Sequence, residues 1–94
     1  MPDLTLACQP RVGPGFRLQW EPVQACHVLL YPEGMVKLNG SAGEIMKRCD
    51  GQRSVAALVA DLEAAFGAQG LQAEVLAFVK MAAQQRWLAW ETPA

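Results

Sequence analysis

The sequence predicts an α+β fold of the winged helix-turn-helix type, with an N-terminal three-stranded antiparallel sheet followed by three helices. Residues 15–38 contain short runs with strand periodicity between proline and glycine turn signals, whereas residues 41–86 carry apolar residues at helical spacing. A chain of 94 residues, 52% hydrophobic and 18% charged, corresponds to a single globular domain, residues 1–94. Residues 1–14 are predicted to be an irregular arm, and residues 87–94 an apolar tail that packs against the core.

Three strands account for the predicted sheet. Apolar and polar residues alternate over 16–21, which is typical of a half-buried strand, while residues 26–31 are continuously apolar and favour a central strand covered on both faces. The turn at 31–34 has proline at its second position and glycine at its end, so residues 35–38 form the returning strand. One edge of this strand is available to another chain, unless the N-terminal arm covers it.

The first two helices have recognisable start and stop signals. Ser41 and Glu44 fit a capping box, and Gly51 is placed to end the first helix. Ser54 is predicted to be the N-cap of the second helix, which Gly67 ends.

The third helix is predicted to span about residues 71–86. Val75, Phe78, Val79 and Ala82 recur at helical spacing and share one apolar stripe. Most of this stripe is expected to face the core, and one or two of its residues to line a surface groove.

The residues needed for catalysis or metal binding are missing from the sequence. His27 is the single histidine, and its place within an apolar strand predicts a structural role. Cys26 and His27 are adjacent on a strand and point to opposite faces, so they do not bind one ion together. No glycine-rich phosphate loop is present. We therefore expect no catalytic residue, no metal site and no cofactor.

The sequence also predicts a cytoplasmic protein that is not inserted in a membrane. No apolar run approaches the roughly 18 residues of a membrane-spanning helix, and the first residues lack the features of a signal peptide. Cys8, Cys26 and Cys49 are odd in number and widely spaced, which favours free thiols in a reducing compartment.

DNA binding is the alternative that the helical pattern raises. The formal net charge is −1, the second helix has no basic residue, and the third has only Lys80 and Arg86. We therefore expect no nucleic-acid partner, with a DNA-binding winged-helix protein kept as the alternative function. A phosphopantetheine carrier is a weaker possibility, because Ser41 and Ser54 are explained as helix caps.

The free strand edge favours a peptide-binding module. A partner chain that pairs with such an edge gains main-chain hydrogen bonds, each contributing about 0.5–1.5 kcal/mol. A micromolar complex needs about 8 kcal/mol, so apolar side chains of the partner must also be buried. A groove between residues 35–38 and a helix is the expected place.

Three stretches of the sequence resemble the PqqD family: LLYPEG at 29–34, LNGSA at 38–42 and CDG at 49–51. The resemblance extends from about residue 10 to residue 88. Two departures are visible, since Glu74-Val75 stands where the family often has Asp-Val, and Arg86-Trp87 where it has Gly-Trp.

The resemblance implies a peptide chaperone for pyrroloquinoline quinone biosynthesis. Its implied partners are the precursor peptide PqqA and PqqE, a radical S-adenosylmethionine enzyme. The leader of PqqA would add as a strand beside residues 35–38, against the third helix. From this placement we expect Lys37 and Arg86 to meet acidic groups of the peptide, and a proline at Val36 to abolish binding. The expected peptide-binding residues are Met35, Val36, Lys37, Leu38, Val75, Phe78, Val79, Ala82 and Arg86.

The oligomeric state is left open by the sequence. Asn39-Gly40 is a short joint between sheet and helices, of the kind that permits domain swapping. Both a monomer and a homodimer, domain-swapped or not, agree with the sequence.

Overall fold

A computed structural model describes residues 3–91 of the chain. It confirms the predicted fold class, because a three-stranded antiparallel sheet is followed by three helices. Two short strands near the two ends of the chain form a second, separate pair. The elements are β1 (Arg11–Val12), β2 (Arg17–Glu21), β3 (Cys26–Tyr31), β4 (Gly34–Lys37), α1 (Gly40–Met46), α2 (Val55–Phe66), α3 (Gln72–Gln84) and β5 (Leu88–Ala89).

The main sheet has the order β2-β3-β4, with both pairings antiparallel. On β3, Leu29 pairs with Leu18 of β2 and with Val36 of β4. Leu29 has no exposed surface and belongs to the core that the helices form with this face of the sheet. Val28 points to the opposite face and is also buried, so the centre of β3 is covered on both faces, as predicted.

The helix α1 packs very closely on β3 at one point. A Cβ atom on Gly43 would stand 2.8 Å from Nδ1 of His27, so only a residue without a side chain allows this contact. The ring of Trp20 lies edge-on to His27, with ring centroids 4.9 Å apart. His27 is thus held between a strand neighbour and a helix, which agrees with a structural role.

The N-terminal arm is more regular than the sequence predicted. Residues 11–12 of the predicted irregular arm form β1, which pairs with β5 and places Val12 opposite Leu88. Before β1, the carbonyl of Cys8 accepts from the N–H of Val55 at 2.8 Å, and that of Pro10 from Gly51 at 3.0 Å. The arm is therefore fixed along α2 and the C-terminal tail.

The C-terminal tail packs back onto the core in the part that the structure describes. Leu88 and Trp90 are both buried and belong to the core cluster. Residues 92–94 of the predicted tail lie outside the described residues.

The predicted capping box of α1 is wrong. Asn39 is the N-cap, and its side chain accepts from the N–H of Ala42 at 2.8 Å. Asparagine is as effective an N-cap as serine, and its place directly after β4 lets the helix begin earlier. Ser41 donates instead to Oδ1 of Asn39, and Glu44 forms ion pairs with residues further along the chain. The predicted stop is also wrong, because α1 ends at Met46 and Gly51 lies in the following loop.

The predicted ends of α2 are confirmed. Ser54 accepts from the N–H of Ala57 at 3.1 Å, and Gly67 ends the helix with a left-handed conformation, φ 60°.

The helix α3 is shorter than predicted and ends in a Schellman motif. The N–H of Trp87 donates to the carbonyl of Ala82 at 2.8 Å, and that of Arg86 to Ala83 at 3.0 Å. Arg86 takes the left-handed conformation, with φ 67°. Glycine adopts this conformation without steric cost, whereas arginine carries a Cβ atom that disfavours it.

Candidate functional site

The outer edge of β4 has no strand partner among residues 3–91. The strand β4 is at the end of the sheet order and pairs with β3 alone. The N-terminal arm, which the sequence left as an alternative cover for this edge, pairs with β5 and contacts α2 instead. The edge is therefore free to accept another strand.

The hydrogen-bond pattern determines which residues face that edge. Leu38 lies opposite His27, and its N–H donates to the carbonyl of His27 at 3.0 Å. The next pair along the two strands is Lys37 with Val28, and the one after it is Val36 with Leu29. Because hydrogen-bonded and non-hydrogen-bonded pairs alternate in an antiparallel ladder, Val36 also directs its N–H and C=O toward β3. The main-chain groups of Met35 and Lys37 consequently point outward.

This pattern corrects the substitution proposed from the sequence. A proline at Val36 would remove an N–H that belongs to the β3–β4 ladder, and it would damage the sheet itself. A proline at Lys37 would remove an outward N–H and leave the ladder of the protein intact. Lys37, not Val36, is the position at which proline tests the open edge.

An apolar groove of about 310 Å³ lies between β4 and α3. One wall is the end of β4 with the residues that begin α1, and the other is one side of α3 with Trp87. It is lined by Val36, Lys37, Leu38, Asn39, Ser41, Ala42, Ile45, Glu74, Phe78, Met81 and Trp87.

Two neighbouring stripes of α3 have different surroundings. Glu74, Phe78 and Met81 follow one another at helical spacing and line the groove. The stripe formed by Val75, Val79 and Ala82 faces the interior, and its members expose 2%, 0% and 0% of their surface. The predicted single stripe is thus divided between core and groove.

The structure brings some of the predicted site residues together and separates others. Val36, Lys37, Leu38 and Phe78 line one groove, and Met35 is 55% exposed on the adjoining edge strand. Arg86 lines a different cavity, together with Phe16 and Trp90. The core positions of Val79 and Ala82 leave no exposed surface for a ligand, and Val75 faces a separate cavity outside this groove.

Sequence reasoning missed seven groove residues. Four of them lie on or just before α1, namely Asn39, Ser41, Ala42 and Ile45. The other three lie on or just after α3: Glu74, Met81 and Trp87. Their spacing contains the signal, because Glu74 and Met81 lie four residues before and three after Phe78 on the same helix face. Trp87 follows the Schellman motif at the end of α3. The left-handed position of that motif is occupied by Arg86 instead of the usual glycine, so the sequence does not predict the turn.

The basic residues between α1 and α2 are neutralised by neighbouring acids. Arg48 donates to Glu44 at 2.8 Å and also to Asp61, and these hydrogen bonds lower the pKa of both carboxyl groups. Lys47 pairs with Glu44 at 3.2 Å, and Arg53 with Asp61 at 3.4 Å. This cluster stabilises the contact of α1 with α2, and it does not present the free cations that binding to DNA phosphates requires.

Neither a metal site nor a membrane helix emerges from residues 3–91. No group of three or more histidine, cysteine or acidic residues in that range is arranged to hold a metal ion. None of the helices described there is long and apolar enough to cross a bilayer.

The thiol of Cys49 is buried, and burial raises its pKa to about 12, so it is neutral at physiological pH.

Fold and groove together define a small α+β domain of the winged helix-turn-helix type with an open sheet edge beside an apolar groove. The family model for "Coenzyme PQQ synthesis protein D (PqqD)" matches residues 26–88. This chain therefore belongs to the PqqD family.

Relatives named "PqqA binding protein" match nearly the whole chain. The Stutzerimonas stutzeri protein is 48% identical over 89 residues, which cover 94% of this chain and 97% of the relative. The Azotobacter vinelandii protein is 51% identical with the same coverage, and a Pseudomonas aeruginosa protein is 56% identical over 80 residues, 84% of this chain and 87% of the relative.

A solved structure has the same fold. It is the solution NMR structure of the PqqD truncation of Methylobacterium extorquens PqqCD, described as a functional, stand-alone recognition element for ribosomally synthesized and post-translationally modified peptides. It superposes with a TM-score of 0.71 at 32% identity, and the match covers 85% of this chain and 87% of the other.

Proposed function

We propose that this protein binds the precursor peptide PqqA and presents it to the radical S-adenosylmethionine enzyme PqqE during pyrroloquinoline quinone biosynthesis. The leader of the peptide adds as a strand along β4, against α3. Membership of the PqqD family and the names of the relatives support the choice of partner. The observation that carries the proposed site is the unpaired edge of β4 beside an apolar groove.

The two parts of the site supply different contributions to affinity. The outward N–H and C=O groups of Met35 and Lys37 offer roughly four hydrogen bonds, which contribute about 2–6 kcal/mol at about 0.5–1.5 kcal/mol each. Association costs must be subtracted, so these bonds alone do not reach the roughly 8 kcal/mol of a micromolar complex. Burial of apolar leader side chains against Phe78, Met81 and Trp87 supplies the difference.

Charge at the groove favours a particular arrangement of leader residues. Lys37 is exposed on β4 and Glu74 is exposed on α3, and both line the groove. An acidic leader residue is favoured near Lys37 and disfavoured near Glu74. These contacts orient the peptide more than they hold it, because both groups remain accessible to solvent and salt.

In this role the protein binds the peptide, and the enzyme performs the chemistry. Its single histidine, His27, is partly buried and packs against Trp20 and Gly43, and the described residues offer no metal-binding cluster. A domain of this kind acts by raising the local concentration of the peptide at the enzyme.

An NMR titration of isotope-labelled protein with synthetic PqqA tests the proposal. The expected result is saturable shifts of the amides of Met35, Lys37, Phe78 and Met81. Shifts confined to other surfaces would keep the peptide as partner and overturn the β4 site. No saturable shift in the protein alone, nor in its mixture with PqqE, would overturn the proposed function.

A further inference from the structure

We infer that the groove beside β4 continues into a second subsite, which takes an apolar side chain of the same peptide beyond the added strand. This inference rests on the proposed function. It adds a contact to α2, an element that takes no part in the groove beside β4.

The two cavities adjoin each other. The second cavity has a volume of about 470 Å³ and lies where the start of α1, the end of α2 and the start of α3 meet. Ser41, Ile45 and Glu74 line both cavities. Because Asn39 joins β4 to α1, the junction lies at the C-terminal end of the open edge. A strand that runs along β4 leaves it at this point.

The second cavity is built for apolar contact. Its floor includes Leu62 and Val75, which are 3% and 2% exposed and hold the helices together. Its rim carries Phe66, the last residue of α2, with 56% of its surface exposed. A large exposed aromatic residue beside an apolar concavity marks an interaction site more often than an isolated exposed residue does.

The peptide is the occupant that fits both the position and the chemistry. A segment already held along β4 reaches the second cavity without a further association cost, so even a small apolar contact raises its affinity. Glu74 stands at the junction, exposed and without an ion pair among the described residues. The favoured segment therefore has an aliphatic or aromatic side chain in the cavity and no acidic residue next to it.

Phe66→Ser tests the subsite, with Val23→Ser as its matched control. Both residues are exposed apolar side chains, and Val23, at 95% exposed, lies on the turn between β2 and β3. We expect Phe66→Ser to weaken binding of full-length PqqA about 5–10-fold, and Val23→Ser to change it less than about twofold. Both variants should keep the thermal unfolding midpoint of the parent.

The peptide supplies the second half of the experiment. PqqA shortened from the end that enters the second cavity should bind the parent protein more weakly than full-length PqqA does. The parent and Phe66→Ser should then bind this shortened peptide with equal affinity. In the parent protein, full-length peptide should shift the amides of Ala68 and Leu71, and the shortened peptide should not.

The outcomes separate this inference from the proposed function. If the parent binds PqqA and Phe66→Ser binds equally well, the subsite is wrong and the β4 site is unaffected. If Val23→Ser loses as much affinity as Phe66→Ser, the effect is general surface hydrophobicity and the subsite is again wrong. If the parent itself does not bind, with or without PqqE, both proposals fail.

Discussion

Gly13 lies directly against the carbonyl oxygen of Arg86, so that a Cβ atom added to it would stand 2.2 Å from that oxygen. The N–H of Gly13 donates to the carbonyl of Trp87 at 2.8 Å, which ties the N-terminal arm to the end of α3. Trp87 belongs to the α3 wall of the groove beside β4. The segment that carries it is thus fixed by a contact with the arm that only glycine allows.

Gly13→Ala is expected to destabilise the protein by about 1–3 kcal/mol, because the arm must move away from α3. Urea unfolding at equilibrium measures this change. Gly40→Ala is the control: an added Cβ there meets nothing within 4 Å, so its stability should be unchanged or slightly higher. Equal stability of Gly13→Ala and the parent would contradict the close contact.

Arg86→Gly is expected to stabilise the protein by about 1 kcal/mol. Arg86 has φ 67° at the end of α3, a conformation that costs a residue with a side chain about 1–2 kcal/mol, partly offset by the flexibility of glycine when unfolded. Arg86→Ala keeps the strained conformation and should give no comparable gain. Thermal unfolding midpoints of the two variants and the parent measure these differences in stability. Equal stabilisation by alanine and by glycine would show that backbone strain at Arg86 is not the cause.

Arg48→Met is expected to lower stability in a pH-dependent manner. Arg48 lowers the pKa of Glu44 and of Asp61 in the folded state, so the stability it contributes is present above the ordinary carboxyl pKa. That contribution is lost as the pH falls through the lowered values. The difference in free energy of unfolding between parent and variant should be complete at neutral pH and shrink below about pH 4.

Urea unfolding at several pH values measures this difference. Arg17→Met removes an exposed arginine on β2 that forms no ion pair among the described residues, and it should show little difference at any pH. A penalty for Arg48→Met that is the same at pH 3 and pH 7 would mean that packing of the arginine, not its charge, is responsible.

A thiol reagent is expected to modify Cys26 alone in the folded protein. Cys8 and Cys49 are 3% and 5% exposed, and burial raises the pKa of Cys49 to about 12, which keeps its thiol unreactive. Cys26 is partly exposed on β3. The number of modified thiols per molecule should rise from one in the folded protein to three on unfolding. Cys26→Ser should leave no fast-reacting thiol in the folded protein. Rapid modification of Cys49 in the native state would contradict its burial.

The sequence predicted the sheet and the helices because their signals are local. Alternation over 16–21, the proline–glycine turn at 31–34 and the cap at Ser54 each act within a few residues. The first helix was misplaced because Asn39 and Ser41 are both good N-caps, and the choice depends on where β4 ends. The strand β1 was missed because its partner is far away in sequence, and two residues carry no periodicity.

The site was only partly predictable for a related reason. The edge strand and Phe78 followed from strand order and helical spacing. The division of α3 into a core stripe and a groove stripe depends on how the helix is rotated about its axis against the sheet. Two neighbouring stripes of similar apolarity in the sequence do not determine that rotation. The direction of the N–H of Val36 depends on the register of β4, which tertiary pairing sets.

The affinity of PqqA for Lys37→Pro, measured beside Lys37→Ala by calorimetry, tests the open edge most directly. Both variants lose the charge, but only proline removes the outward N–H, and the β3–β4 ladder does not use that group. We expect a folded Lys37→Pro protein that binds at least about tenfold more weakly than Lys37→Ala, a difference of about 1.4 kcal/mol. Equal affinity of the two folded variants would contradict strand addition along β4.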